Sequence, residues 1–156
     1  MDAASLAPLC SQVEKVARAA GAFLLQEAGR VRPDQIEEKS LNSLVSYVDR
    51  TAEEMIVKDL RTLLPGADFL TEEDTVTATR QSDLRWIIDP LDGTTNFLHG
   101  LPHFAISMGI KHKGVLTHAM IYDPIKREEF SATRGQGAQL NGRRIRVSTP
   151  VKIEGT

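Results

Sequence analysis

Apolar side chains recur at three- and four-residue spacing in two stretches of the N-terminal half of the chain. The first stretch runs from Leu6 to Leu24 and the second from Val48 to Leu63. This spacing puts the apolar side chains on one face of a helix, so both stretches predict amphipathic helices. Ser5 is expected to cap the first helix and Gly29 to end it, while Pro65-Gly66 ends the second. The polar residues between them, 30–42, predict a loop or a partly extended arm.

After residue 66 the pattern changes to short apolar or alternating runs separated by turn dipeptides. The clearest turns are Lys113-Gly114, Asp123-Pro124 and Asn141-Gly142. The runs are Phe69–Leu70, Leu84–Ile88, Phe104–Ile110, Val115–Tyr122, Glu129–Ala132 and Arg144–Val147. Two helices followed by about six short strands predict an α+β fold, in which the helices pack on one face of a mainly antiparallel sheet.

Composition and charge narrow the class of protein. The chain of 156 residues is long enough for one domain with a real core, and its net charge of −2 gives no global attraction to nucleic acid or membranes. With the lone Cys10 no intrachain disulfide can form, and no apolar run approaches the roughly 20 residues that span a bilayer. The N-terminus lacks a signal-peptide pattern, so a cytoplasmic protein without membrane contacts is expected. Basic residues at 126–127 and 143–146 predict solvated strand faces rather than a nucleic-acid surface.

Carboxylates follow two of the predicted strands. Glu72 and Glu73 come directly after one strand, and Asp89 follows the next, with Asp92 three residues further on. If the two strands are neighbours, Glu72, Asp89 and Asp92 meet at one rim of the sheet. Carboxylates this close repel each other, and a hard divalent cation removes the repulsion. Mg²⁺ takes one or two carboxylates per ion together with water and substrate phosphate, so the cluster predicts one or two Mg²⁺ ions.

The residues at 93–96, Gly-Thr-Thr-Asn, allow two interpretations. Asp92-Gly93 is a common turn dipeptide, and a turn would explain it alone. Alternatively, Gly93 lets the backbone approach a phosphate closely, and free N–H groups of a following helical turn point at the anion. The hydroxyl of Thr94 can also orient a metal-bound water. The position directly after Asp92 and four residues after Asp89 favours the metal-and-phosphate site over the simple turn.

The motif "WIIDPLDGTTNF", preceded by "EE" at the end of a strand, resembles the inositol monophosphatase family, within the lithium-sensitive, Mg²⁺-dependent phosphatases. The resemblance continues through "LVSYVDR", "LPGADFLTEED", "LPHFAISMGI" and "MIYDPIKREEFSATRGQGAQLNGRRIRVS", so it covers nearly the whole chain. It implies an αβαβα sandwich whose N-terminal half carries most of the metal ligands, and a phosphomonoesterase that activates water with two Mg²⁺ ions. Residues 95–97, Thr-Asn-Phe, replace the Lys-Glu-Phe typical of bisphosphate nucleotidases. This favours inositol monophosphate or a similar sugar-alcohol phosphate as the substrate.

The resemblance also implies a set of metal ligands. Glu72 and Asp89 would bind the first Mg²⁺ together with the backbone carbonyl of Leu91. Asp89 and Asp92 would bind the second Mg²⁺. Glu73 matches the second glutamate of the family motif and would lie near the metals.

The same matching implies which residues act on the substrate. Gly93, Thr94 and Thr95 would hold its phosphate. Asp49 would pair with Thr94 to activate the attacking water, and Glu72 completes the implied catalytic set. Lys39 matches a basic residue of a mobile arm near the site.

Two departures from the family pattern qualify these expectations. Asn42-Ser43 stands where members usually have Asn-Asp, which puts a third, weakly held Mg²⁺ in doubt. A second Trp-Asp signature, whose aspartate completes the second metal site, is absent, and Trp86 is the only tryptophan. Residues 1–156 are therefore expected to be an N-terminal metal-binding domain without the C-terminal domain, weakly active or inactive alone. They are also expected to self-associate through an uncovered sheet face. The alternative is a non-catalytic interaction module, for example one that binds transcription machinery.

Overall fold

The computed structural model describes residues 3–40, 43–76 and 82–148. Within these ranges the helices are α1 (Ala3–Glu27), α2 (Tyr47–Leu63) and α3 (Thr94–Leu98), with a short 3-10 turn at Pro33–Gln35. The strands are β1 (Ile36–Ser40), β2 (Ser43–Ser46), β3 (Asp68–Thr71), β4 (Leu84–Asp92), β5 (Ala105–His112), β6 (Val115–Asp123), β7 (Glu128–Thr133), β8 (Gly137–Leu140) and β9 (Arg143–Ile145).

Strands β3 to β9 form one sheet whose spatial order follows the sequence. Each pair from β4 onward is antiparallel, whereas β3 runs parallel to β4. The predicted turns at Lys113-Gly114 and Asn141-Gly142 join β5 to β6 and β8 to β9. All four turn residues have φ between 50° and 78°, the backbone that tight hairpin turns require. The predicted α+β fold with a mainly antiparallel sheet is therefore confirmed.

Helices α1 and α2 pack together on one face of this sheet. Their apolar stripes meet alternate side chains of β4, β5 and β6, so that Trp86, Ile106 and Ile110 are almost completely buried. Leu24 of α1 and Ile56 of α2 complete the same core at 0% exposure. Burying each such side chain contributes about 1.5–3 kcal/mol, which makes this helix-covered face the main source of stability.

Three local features correct or refine the sequence-based expectations. Helix α1 begins at Ala3, before Ser5, so the predicted cap is wrong, although Gly29 has φ of 76° just beyond the helix end. The arm at 30–42 contains strand β1, which pairs with β2 and places Ile36 opposite Ser46. Helix α3 adds a third helix to the two expected. Apolar periodicity is a property of a single segment. It does not detect a short strand such as β1, whose structure depends on pairing with another strand.

The opposite face of the sheet carries no helix from the described residues, and we call it the open face. Cross-strand pairing places Ser107, Ile121 and Phe130 in one row across it. Leu70, Ile121 and Phe130 are 52%, 45% and 40% exposed. The open face is thus an exposed, largely apolar surface. No helix in the described ranges has the length and apolar character needed to cross a membrane.

Candidate metal and phosphate site

Glu72 and Asp89 lie at the same edge of the sheet because β3 and β4 are parallel neighbours. Thr71 is paired with Ile88, and the Glu72 amide extends the ladder by donating to the Ile88 carbonyl at 3.2 Å. Glu72 and Asp89 are therefore the next residues along the two strands. The neighbouring strands on which the predicted carboxylate cluster depends are present.

Asp89 is half-buried, and its carboxyl group holds a proton more tightly than an ordinary aspartate. Burial, followed by the negative charge of Glu72 and a hydrogen bond with its side chain, raises the pKa of Asp89 to about 7. Asp92 adds a smaller repulsion, whereas the Leu91 amide, which donates to Asp89 Oδ1 at 3.1 Å, lowers the pKa. Crowded carboxylates of this kind are stabilised by a nearby cation, so the chemistry of the donor set fits a hard metal ion.

The predicted ligands combine side-chain and backbone oxygens. Across residues 3–40, 43–76 and 82–148, no three His, Cys, Asp or Glu side chains are grouped as a ready metal site. The predicted first site requires only two such side chains, Glu72 and Asp89, with the carbonyl of Leu91. Asp92 is exposed at the end of β4. One or two carboxylates per ion, with remaining positions for water and phosphate, suit Mg²⁺, and the ligand assignment stays a prediction.

Thr94 and Asp49 are joined by a hydrogen bond. The Thr94 hydroxyl donates to Asp49 Oδ1 at 2.7 Å and also lies 3.0 Å from the carbonyl oxygen of Leu91. Asp49 is 1% exposed, and its Oδ2 accepts hydrogen bonds from the amide and hydroxyl of Ser46, both at 2.9 Å. Ser46 is the N-cap of α2, so the first turn of this helix fixes the Asp49 carboxylate. Because the Thr94 hydroxyl has one proton, donating it to Asp49 leaves its lone pairs available to a water molecule.

Gly93 shapes the segment that the sequence assigns to phosphate. It precedes α3 with φ of 99°, and a Cβ atom there would lie 3.1 Å from the backbone oxygen of His103. Both the left-handed backbone and this contact favour glycine. Thr94 and Thr95 are the first two residues of α3, where amide groups have no acceptor inside the helix. Asp92-Gly93 is thus a junction between a strand and a helix, not a hairpin turn.

Lys39 brings a positive charge to the carboxylates from β1. Its ammonium group pairs with the carboxylate of Glu73 and lies 3.5 Å from the carbonyl oxygen of Glu72. Burial raises the pKa of Glu73, and the charge of Lys39 opposes that rise. The expectation about a third Mg²⁺ stays a prediction, because Asn42 and the side chain of Ser43 lie outside what the structure describes.

Two clefts border the candidate site. One, of about 390 Å³, lies on the open face and is lined by Glu72, Asp89 and apolar side chains of β3 to β6. The other, of about 410 Å³, begins at Asp92 and Gly93 and extends to Lys126. There is therefore space for a small ligand beside Glu72 and Asp89 and also beside Asp92.

Glu53 is a further residue near the site, and the sequence analysis did not identify it. It is 0% exposed on α2 and accepts hydrogen bonds from the segment that follows Glu72. A signal was available, since Glu53 lies beside Ala52 and three residues before Ile56, in the apolar phase of the helix. A charged residue at such a position is rare unless hydrogen bonds stabilise it.

The fold is of the phosphatase type, and the model of the inositol monophosphatase family matches residues 5–156. The chain belongs to the inositol monophosphatase family, which confirms the resemblance inferred from the motifs.

Similar proteins carry two kinds of name. "Nus factor SuhB" of Pseudomonas aeruginosa is 44% identical over 150 residues, which are 95% of this chain and 55% of that protein. Among solved structures, the extragenic suppressor protein suhB of Bartonella henselae superposes with a TM-score of 0.87 at 40% identity, covering 92% of this chain and 56% of that one. The inositol monophosphatase of Thermotoga maritima gives 0.81 at 37% identity, covering 90% and 54%. The chain thus spans about half the length of the curated relatives it matches.

Proposed function

We propose that this chain supplies the metal- and phosphate-binding part of a Mg²⁺-dependent phosphomonoesterase. The substrate would be inositol monophosphate or a similar sugar-alcohol phosphate. Family membership and the similarity to solved inositol monophosphatases support the proposal. The observation that carries it is the adjacent pair of Glu72 and Asp89, with a hydrogen-bonded Thr94 and Asp49 nearby.

The carboxylates would hold the metal ions. Glu72, Asp89 and the carbonyl of Leu91 would bind one Mg²⁺, and Asp89 with Asp92 would bind a second. Mg²⁺ held by these residues would lower the pKa of a coordinated water and neutralise charge on the leaving group. Asp89 would contact both ions, so its charge is the one that the site depends on most.

Thr94 and Asp49 would prepare the attacking water. The Thr94 oxygen accepts a hydrogen bond from the water while its own proton is held by Asp49. A proton taken from the water by the Thr94 oxygen can therefore be balanced by the transfer of the hydroxyl proton to Asp49. The amides of Gly93, Thr94 and Thr95 would hold the phosphate oxygens, since first-turn amides have no competing acceptor within the helix.

The activity of the whole protein would depend on more residues than the matched half. The curated relatives are longer than this chain. The alignments cover 94–96% of this chain but only 55–56% of the relatives. We therefore propose that residues 1–156 alone bind Mg²⁺ weakly and turn over inositol phosphates slowly or not at all. Within residues 1–156 the second metal site would be without the partner carboxylate that the family resemblance implies, and a weakly held second metal would reduce transition-state stabilisation more than substrate binding.

Asp89→Asn in the full-length protein tests the proposal. The amide is nearly isosteric, so the fold should persist, while Mg²⁺-dependent phosphate release from inositol 1-monophosphate should disappear. Asp83→Asn is the matched control, because Asp83 is exposed just before β4 and loses the same charge. A folded Asp89→Asn protein with near-normal turnover in saturating Mg²⁺ would exclude the assignment.

A second candidate function is a non-catalytic interaction module that binds transcription machinery. The naming of curated relatives as Nus factors favours it. The exposed arginines at 143, 144 and 146 offer a basic surface at the β9 edge for an acidic partner. Phosphate release separates the two candidates, since a pure interaction module releases none at any Mg²⁺ concentration.

A further inference from the structure

Glu53 carries a carboxylate into the interior of the protein. It lies in the middle of α2 at 0% exposure, with Ile56 and Leu60 of the core on the same side of the helix. A buried carboxylate is strongly unfavourable unless hydrogen bonds replace its hydration. The partners that satisfy Glu53 therefore indicate what it does.

Three described donors reach this carboxylate, and all three belong to residues 73–75. The amide of Glu73 donates to Oε2 at 2.8 Å. The amide and the hydroxyl of Thr75 donate to Oε1 at 2.9 Å and 2.6 Å. Glu53 therefore holds residues 73–75, which follow β3, by both of its oxygens.

Glu72 is fixed on both sides by this arrangement. On its N-terminal side the sheet holds it, since its amide donates to the Ile88 carbonyl at 3.2 Å. On its C-terminal side the next amide, that of Glu73, is bonded to Glu53. Without the second attachment, the described side-chain contacts that remain at Glu72 and Glu73 are those of Lys39, so the end of this four-residue strand could separate more easily from β4 and move Glu72 away from Asp89.

Asp49 and Glu53 lie four residues apart on α2 and so face the same direction. Asp49 holds Thr94 and Glu53 holds Glu73 and Thr75. One face of α2 therefore forms hydrogen bonds with both segments of the candidate site, the one after β3 and the one after β4. The rigid spacing of one helical turn sets their separation.

We propose that Glu53 is a positioning residue of the divalent-cation site, which keeps the carboxylate of Glu72 next to that of Asp89. The inference rests on the proposed function, because it assumes that these two carboxylates bind the cation. Glu53 would not touch the cation itself and would act on the site through the backbone of Glu73. Outer hydrogen-bond partners of this kind typically change metal affinity by 10–100-fold when they are removed.

The test is Glu53→Gln in the full-length protein, with Mn²⁺ binding measured by electron paramagnetic resonance. Glutamine keeps the shape but presents an N–H₂ group to one of the donors, so about a tenfold rise in the Mn²⁺ dissociation constant is expected. Glu54→Gln is the matched control, since Glu54 is the exposed neighbour on the same helix and loses the same charge. It should bind Mn²⁺ as the unchanged protein does.

A second control separates positioning from general loss of stability. Val13→Ala truncates a core residue of α1, a helix that holds neither segment of the site. It should lower the melting temperature without changing the Mn²⁺ dissociation constant. Amide hydrogen exchange without metal should show faster exchange at Glu73 and Thr75 in Glu53→Gln only.

Each outcome is decisive. Unchanged Mn²⁺ affinity or unchanged exchange at these amides in Glu53→Gln would overturn the inference while leaving the proposed function intact. An affinity loss that Val13→Ala reproduces would make Glu53 merely structural. Failure of the unchanged protein to bind Mn²⁺ or Mg²⁺ would overturn the proposed function, and the inference with it.

Discussion

The hydroxyl of Thr94 lies 2.7 Å from the carboxylate of Asp49, although 45 residues separate the two in the chain. The bond connects the first turn of α3 to the first turn of α2. The amide and the hydroxyl of Ser46 donate to the other oxygen of Asp49. Any rotation of the carboxylate away from Thr94 would therefore also break these two hydrogen bonds. The direction of the Thr94 hydroxyl is therefore set by a helix cap on a distant segment.

Thr94→Ala in the full-length protein should lower kcat by about 10²–10⁴-fold, because it removes the group proposed to accept the proton of water. The apparent affinity for Mg²⁺ should change far less. Steady-state phosphate release measured across a Mg²⁺ titration gives both quantities. Thr94→Ser keeps the hydroxyl and should retain most of the activity. A variant that loses only Mg²⁺ affinity would make Thr94 part of the metal shell instead.

Gly93→Ala should destabilise the fold more than Gly100→Ala. Both glycines have positive φ, 99° and 71°, and a left-handed backbone costs a residue with a Cβ about 1–2 kcal/mol. Only at Gly93 would the new Cβ meet a backbone oxygen, that of His103 at 3.1 Å, whereas at Gly100 no atom lies within 4 Å. Urea denaturation of the two variants measures the difference. Equal losses would show that the contact with His103 is relieved by a small shift.

The sequence predicted most of the helices and strands. It predicted the contacts between distant residues only under an assumption about which strands are neighbours. Helix α2 and the hairpins after β4 follow from periodicity and turn dipeptides, which are local signals. The adjacency of Glu72 and Asp89 was an assumption about strand neighbours, and a parallel pair leaves no turn signature between its strands. The role of Glu53 depends on amides 20 and 22 residues away, so no pattern within α2 could name its partners.

His118 should make stability decline as the pH falls below about 6.5. Burial lowers the pKa of this side chain, which is 6% exposed on β6 near Cys10 and Thr133. A pKa lower in the folded than in the unfolded state means that protonation favours unfolding. The stabilisation is therefore complete above the unfolded pKa and is lost as the pH falls through the folded pKa.

The measurement is the free energy of unfolding between pH 5 and 8 for the unchanged protein and for His118→Gln. The raised pKa of Glu129, caused first by burial, acts in the opposite direction, so the difference between the two proteins is the informative quantity. The difference in the free energy of unfolding between the unchanged protein and His118→Gln should become smaller towards low pH. His103→Gln, at an exposed position, should follow the unchanged protein. A constant difference at all pH values would contradict the prediction.

The 156-residue chain should form dimers or larger assemblies through the open face. Phe130 and Ile121 are neighbours on adjacent strands of that face, and exposed apolar patches beyond a few hundred Å² promote association. Phe130→Glu should reduce the mass measured by light scattering. Val147→Glu is the control, because Val147 is 95% exposed and lies beyond β9. A monomeric unchanged chain would show that the open face does not drive association.

The parallel pairing of β3 with β4 also bears on the order in which the chain folds. From β5 to β9 each strand is joined to the next by a connection of a few residues, so these pairings close small loops. At the candidate site, the hydrogen bond of Glu73 to Glu53 joins residues 20 positions apart, and that of Thr94 to Asp49 joins residues 45 positions apart. Contacts of longer range must close larger loops, and the entropy of closing these loops is lost before the contacts contribute any stabilisation. The antiparallel strands with short connections can therefore form before the candidate metal site is assembled. Capture of a divalent cation would then report the completion of folding, later than any signal from the hairpins.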